Sequence, residues 1–180
     1  ALMAYASTHF GKLPLSRLLE AAARVATNGF ALDRHYASRL EATRKELARF
    51  PAAREIFLRP DGTPWLAGER LVQTDLGASY RAMAAEGVDW FYRGPFAAAT
   101  ASWMQSHGGI LTAANFANYR VRVREPVRGT YRGWEIVSFP PPSSGGVHVL
   151  EILNILENFD VKSMGDRSPE FVHLVTEAMK

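Results

Sequence analysis

A run of three prolines followed by two serines and two glycines, Pro140-Pro141-Pro142-Ser143-Ser144-Gly145-Gly146, constrains this chain more than any other segment. Each proline fixes φ and removes a backbone donor, so the chain must leave a preceding strand extended and unpaired. Ser143 and Ser144 then offer side-chain oxygens suited to a helix N-cap, and the glycines allow close backbone approach. The run therefore predicts a rigid strand-to-helix junction. The apolar residues Val147, Val149, Leu150, Ile152, Leu153, Ile155, Leu156 and Phe159 that follow spread over nearly every side of the helix, which predicts that it is buried between layers.

The remaining elements follow from periodicity and punctuation. Residues 15–26 read as an amphipathic helix stopped by Asn28-Gly29, and 32–50 as a single second helix ended by Pro51. The basic side of that second helix, Arg39, Arg44, Lys45 and Arg49, is interleaved with Glu41 and Glu46 and reads as a solvated face. Residues 52–57 are short and partly helical, and 60–64 form a turn cluster. Residues 73–85 form a helix capped by Thr74 and closed by Gly87, 88–92 an aromatic turn, and 95–107 a helix stopped by Gly108-Gly109. Thr112 caps a short helix through Tyr119, although Ala113-Ala114-Asn115 puts no acid in its first turn. From Arg120 the period becomes two, and 127–131 faces 134–139 across Arg132-Gly133 as a hairpin. Ser168-Pro169-Glu170 starts a last helix that runs to the end.

With 180 residues and 47% apolar content the chain can build one sizeable core, and 1–180 is read as a single domain. The absence of cysteine excludes disulfides and thiolate catalysis, and fits either a reducing compartment or an exported protein that folds without bridges. A net charge of +3, spread along the chain, gives no basic patch for nucleic acid. No apolar run approaches the ~20 residues of a membrane span. His9, His35, His107, His148 and His173 are scattered without ligand spacing, so no metal is expected. Neither a nucleophile elbow nor a phosphate loop occurs. Both ends read as cut, which predicts a piece of something longer.

Only Ser143-Ser144-Gly145-Gly146 has the makings of a reactive site. Amides at a helix N-terminus can hold an anion or oxyanion, so these four are the candidate substrate-binding residues. The alternative is that the serines cap the helix and the glycines let it sit against the sheet.

That segment, together with Phe91-Tyr92-Arg93-Gly94, Gly108-Gly109-Ile110-Leu111-Thr112, Tyr131-Arg132-Gly133-Trp134 and Ile152-Leu153-Asn154-Ile155-Leu156-Glu157-Asn158-Phe159-Asp160, closely resembles the large subunit of the γ-glutamyltranspeptidases over about residues 11–180. The resemblance implies an α+β fold, part of an N-terminal-nucleophile hydrolase αββα sandwich, mostly helical with a β-hairpin. It implies a precursor that cuts itself, freeing a small-subunit threonine that transfers γ-glutamyl groups of glutathione and related amides to water, amino acids or peptides. The Thr-Thr-His start of that subunit is absent, and Ser7-Thr8-His9 echoes it only superficially. The arginine that grips the substrate carboxylate lies upstream of the matched region, and neither Arg17 nor Arg24 takes its role. No catalytic residue is thus expected here, and no cofactor. The implied partners are the small subunit and small γ-glutamyl substrates, in a periplasmic or extracellular setting, and the apolar helix predicts self-association of the isolated piece. Cephalosporin acylases and capsule-processing relatives share the architecture, leaving an acylase-like amidase as the alternative, and a non-catalytic helical binding module as a further one.

Overall fold

The computed structural model describes all residues, 1–180, and the chain divides into two compact units, Ala1–Val121 and Arg122–Lys180. The sequence reading takes the same stretch as one domain; the division follows the change from helical to period-two patterning near residue 120.

The first unit contains helices α1 (Leu2–Phe10), α2 (Leu15–Asn28), α3 (Arg34–Ala42), α4 (Arg44–Ala48), α5 (Pro51–Phe57), α6 (Thr74–Glu86), α7 (Asp89–Tyr92), α8 (Pro95–Ser106) and α9 (Ala113–Asn118). Two short strands, β1 (Phe30–Ala31) and β2 (Arg70–Leu71), pair antiparallel with Phe30 opposite Leu71. Gly29, at φ 72°, turns α2 into β1, a conformation glycine adopts without penalty. Leu32, Leu40 and Leu71 form the buried centre, and Phe30, Tyr36, Leu47, Ile56, Phe57 and Trp65 pack round it. α2 lies against α6 closely enough that Gly77 is buried, and a Cβ there would meet the Ala23 carbonyl at 3.2 Å.

The structure corrects several boundaries. The predicted helix over 32–50 is two helices, broken at Thr43, whose hydroxyl donates back to the Arg39 carbonyl at 2.8 Å. Such back-bonding competes with the helical ladder. Asp33 caps α3 by accepting the Tyr36 N–H at 2.6 Å. Pro51 begins α5 at its first turn, where its missing donor costs nothing. Thr74 is the first residue of α6 and makes no cap bond. Asn115 strengthens the start of α9: Thr112 Oγ1 accepts the Asn115 N–H at 3.3 Å while Asn115 Oδ1 accepts the Thr112 N–H at 2.8 Å.

The second unit is a hairpin with two helices. Strand β3 (Val127–Tyr131) pairs antiparallel with β4 (Trp134–Ser138), in register from Val127↔Ser138 to Tyr131↔Trp134. Arg132 (φ 50°) and Gly133 (φ 83°) are both left-handed, as a two-residue type I′ turn requires. Helix α10 (Gly145–Leu156) packs on one face of this hairpin, and α11 (Pro169–Ala178) follows, capped by Ser168, which accepts the Phe171 N–H at 3.0 Å. The helix expected to be buried on all sides buries only Gly146 and Leu156; Val147, Val149 and Ile155 remain exposed, because a two-stranded sheet covers one side of a helix. α11 packs against α10 as well, and the two together still leave these apolar residues exposed.

Candidate functional site

β4 ends at Ser138, and Phe139 and the prolines carry the chain to α10. The Pro141-Pro142 bond is cis. Ser143 N–H donates to the Pro140 carbonyl at 3.2 Å, closing the turn, and His148 N–H donates to the Ser144 carbonyl at 3.0 Å, the first bond of the helix.

The structure brings the four candidate residues together at this N-terminus and separates their roles. Ser144 is the N-cap by position, yet with φ −77° and ψ −22° its side chain makes no cap hydrogen bond. A capping hydroxyl needs an extended N-cap backbone to swing back over the first turn. The capping role anticipated for the serines is therefore not what this geometry carries. Ser143 and Ser144 are both exposed, and neither hydroxyl claims the amides of Gly145, Gly146 and Val147, which have no intrahelical acceptor.

The glycines divide equally sharply. A Cβ on Gly146 would lie inside contact distance of the Phe139 carbonyl oxygen, 2.9 Å from Val127 Cγ2 and 3.0 Å from the Phe139 carbonyl carbon. Gly146 thus lets the helix start touch β3 and the residue just after β4. A Cβ on Gly145 would meet only Ser143 Oγ at 3.8 Å, so packing does not require glycine there. Chemically, the turn offers a donor-rich, exposed anion cradle without any base beside it. The nearest histidine in sequence, His148, is exposed on α10, and its imidazole makes no hydrogen bond to either serine hydroxyl.

Two other features lie elsewhere. In the first unit, Arg59 donates to Glu69, which also accepts the Leu66 N–H at 2.6 Å. These bonds, Arg59 first, hold the Glu69 carboxyl below its ordinary range, and Thr63 does the same for Asp61. The second is an aromatic cavity of about 320 Å³ lined by Phe91, Tyr92, Leu111, Asn115, Phe116 and Tyr119. Burial pushes the Tyr92 hydroxyl up, and Tyr119, its ring stacked 6.0 Å away, adds to the shift. The aromatic spacing of 91–92 with 116 and 119 was the only sequence signal for this cavity. No cluster of three or more His, Cys, Asp or Glu side chains that could hold a metal is assembled.

Known proteins resemble this chain in both sequence and fold. The acylase ACY 1 proenzyme of Pseudomonas sp. (strain SE83) is 43% identical over 175 residues, covering 97% of this chain and 31% of the relative. The glutathione hydrolase proenzyme of Escherichia coli (strain K12) is 38% identical over 172 residues, covering 95% and 31%. The chain spans about a third of the length of these relatives. The crystal structure of Helicobacter pylori gamma-glutamyltranspeptidase superposes with a TM-score of 0.90 at 33% identity, over 97% of this chain and 50% of that one. The α+β fold is accordingly that of a section of an N-terminal-nucleophile hydrolase. The sequence pattern that defines the Gamma-glutamyltranspeptidase family matches residues 1–180, and the chain belongs to that family.

Proposed function

We propose that this chain is large-subunit scaffold of an enzyme that takes a γ-glutamyl group from glutathione or a related amide and passes it to water, an amino acid or a peptide. The observation that carries the reading is the family match over all of 1–180, joined to the fold agreement with a γ-glutamyltranspeptidase. Acyl transfer needs an activated nucleophile, and no histidine or lysine in this chain is placed to activate Ser143 or Ser144. The nucleophile in this reading is the threonine of a small subunit cut from the same precursor, consistent with relatives that are named proenzymes. Within the scaffold, the hydroxyls of Ser143 and Ser144 and the amide of exposed Gly145 are the groups available to an anionic part of the substrate. Residence outside the cytoplasm belongs to the same reading, and fractionation of the source cells tests it.

The 43% identity to an acylase, with the fold likeness to a cephalosporin acylase of Bacillus halodurans, favours a second reading, a related amidase acting on a β-lactam side chain. The full-length protein assayed on γ-glutamyl-p-nitroanilide and on such a side-chain amide separates the two. Release of p-nitroaniline at the higher kcat/KM supports the transferase, and preference for the β-lactam amide overturns it. The 180-residue chain alone is expected to release none. Release by this chain, abolished by Ser143→Ala or Ser144→Ala, would overturn the scaffold role.

A further inference from the structure

Asn28-Gly29 closes α2, and it is the one place in the chain where glycine follows asparagine; Phe116, Tyr119, Ile155 and Phe159 follow the other four. The backbone nitrogen after an asparagine can attack the side-chain carboxamide carbon, and a glycine nitrogen does so with no Cβ in the way. The attack needs that nitrogen to be free of other bonds and to lose its proton.

Gly29 meets both conditions. Its N–H has no hydrogen-bond acceptor, and the Asn28 carboxamide, exposed at the helix end, makes no hydrogen bond either. Arg70 Nη1 donates to the Asn28 carbonyl at 3.1 Å and to the Gly29 carbonyl at 2.9 Å. The first of these bonds draws electron density out of the peptide that contains the Gly29 nitrogen, and so favours loss of its proton.

Asp61-Gly62 has the same spacing and the opposite surroundings. Gly62 N–H donates to the Arg59 carbonyl at 2.8 Å, and Asp61 Oδ1 accepts the Thr63 N–H at 2.9 Å and the Thr63 hydroxyl at 2.6 Å. The bonds from Thr63 hold the Asp61 carboxyl below its ordinary range, so it stays a carboxylate, which a nitrogen nucleophile does not attack.

We propose that Asn28 is a site of self-modification, converted through a succinimide to aspartate and isoaspartate, while the fold protects Asp61. The Gly29 nitrogen gives its proton to hydroxide and bonds to Asn28 Cγ; the Cγ–Nδ2 bond breaks, and ammonia leaves with a proton from water. A second water opens the ring, and no step is a redox step. Opening at Cγ leaves aspartate, whereas opening at the main-chain carbonyl leaves isoaspartate, with the chain running through Cγ. Isoaspartate lengthens the backbone between α2 and β1 by a methylene at a tight place, where a Cβ on Gly29 would lie 2.6 Å from the Leu71 carbonyl oxygen and 2.7 Å from Val72 Cγ2. The pairing of Phe30 with Leu71 and the hold of Arg70 on the turn are what that form disturbs. None of this depends on which acyl group the full-length enzyme transfers.

Incubating the full-length protein in warm, mildly alkaline buffer, followed by trypsin digestion and mass spectrometry, tests it. Cleavage after Arg24 and Arg34 isolates Asn28 as the only asparagine of its peptide. Amide-to-acid conversion there should run on the order of tenfold faster than at any other asparagine and rise with hydroxide concentration. Isoaspartate, counted by enzymatic methyl esterification, should appear at residue 28 in the folded protein, and at residue 61 only after urea has unfolded it. Asn28→Gln, an exposed substitution whose longer side chain must close a larger and less favourable ring, should remove the native signal. Conversion at Asn28 no faster than at the other asparagines overturns the proposal. So does isoaspartate at residue 61 before unfolding, or a native signal that survives Asn28→Gln.

Discussion

Gly146→Ala and Gly145→Ala make the same chemical change one residue apart, and the structure gives them opposite signs. At Gly146 the added methyl enters a buried site against a backbone carbonyl, with Val127 Cγ2 at 2.9 Å. A backbone oxygen cannot swing aside like a side-chain tip, so α10 and the hairpin must separate to a normal contact of roughly 3.4 Å or more. Overpacking of this kind costs about 1–3 kcal/mol, against which alanine's better helix propensity returns at most about 1 kcal/mol. At Gly145 only Ser143 Oγ is near, at 3.8 Å, so the propensity term stands alone and stabilises by up to about 0.5–1 kcal/mol. Urea unfolding of the two full-length variants, followed by circular dichroism, should place their midpoints on opposite sides of the wild type. Equal midpoints, or a more stable Gly146→Ala, would refute the close approach of α10 to β3.

Four further outcomes follow from the same geometry. Ser143→Ala and Ser144→Ala should each change stability by less than about 0.5 kcal/mol, since neither hydroxyl is engaged at the helix start; a loss above about 1 kcal/mol in thermal unfolding would restore a capping role. Thr112→Ala should cost about 0.5–2 kcal/mol by opening the reciprocal pair with Asn115, and Asn115→Ala part of that, with non-additive losses in a double-mutant cycle. Glu69 has its folded value depressed by Arg59, so its contribution is complete above the unfolded value of about 4.3 and is lost as pH falls through the folded value. Acid titration of stability should therefore be shallower in Glu69→Gln than in wild type, and parallel curves would count against the pairing. Arg132→Gly relieves a left-handed arginine but removes its guanidinium bond to the Phe159 carbonyl at 2.9 Å, while keeping the N–H donated to Glu157 at 2.7 Å; unfolding midpoints should stay close to wild type, and should drop for Glu157→Ala.

Elements whose signals are local were legible. The Asn28-Gly29 stop, the Arg132-Gly133 turn and the Ser168-Pro169 start each depend on a few adjacent residues, and each lies where its chemistry puts it. The break at Thr43 was not legible, because it turns on whether one hydroxyl bonds backward, and nothing in the periodicity of 32–50 encodes that choice. The capping box at Thr112 was underrated for a related reason: a charge-based view of the first turn overlooks that an amide oxygen accepts the same bond as a carboxylate.

At the candidate site, sequence supplied the residues and the structure supplied their division of labour. Two serines and two glycines in a row look equivalent in pairs. One glycine is buried under a carbonyl and the other is free, a difference set by Phe139 and Val127, whose approach depends on how the hairpin lies against α10. The serine backbone is equally nonlocal: the turn closed on Pro140 leaves Ser144 helical, which takes its hydroxyl off the first-turn amides and leaves those donors open. A cap would have satisfied them and made the helix start chemically silent. Open donors in a structured region call for acceptors, and at the helix start an anion is the acceptor whose chemistry fits.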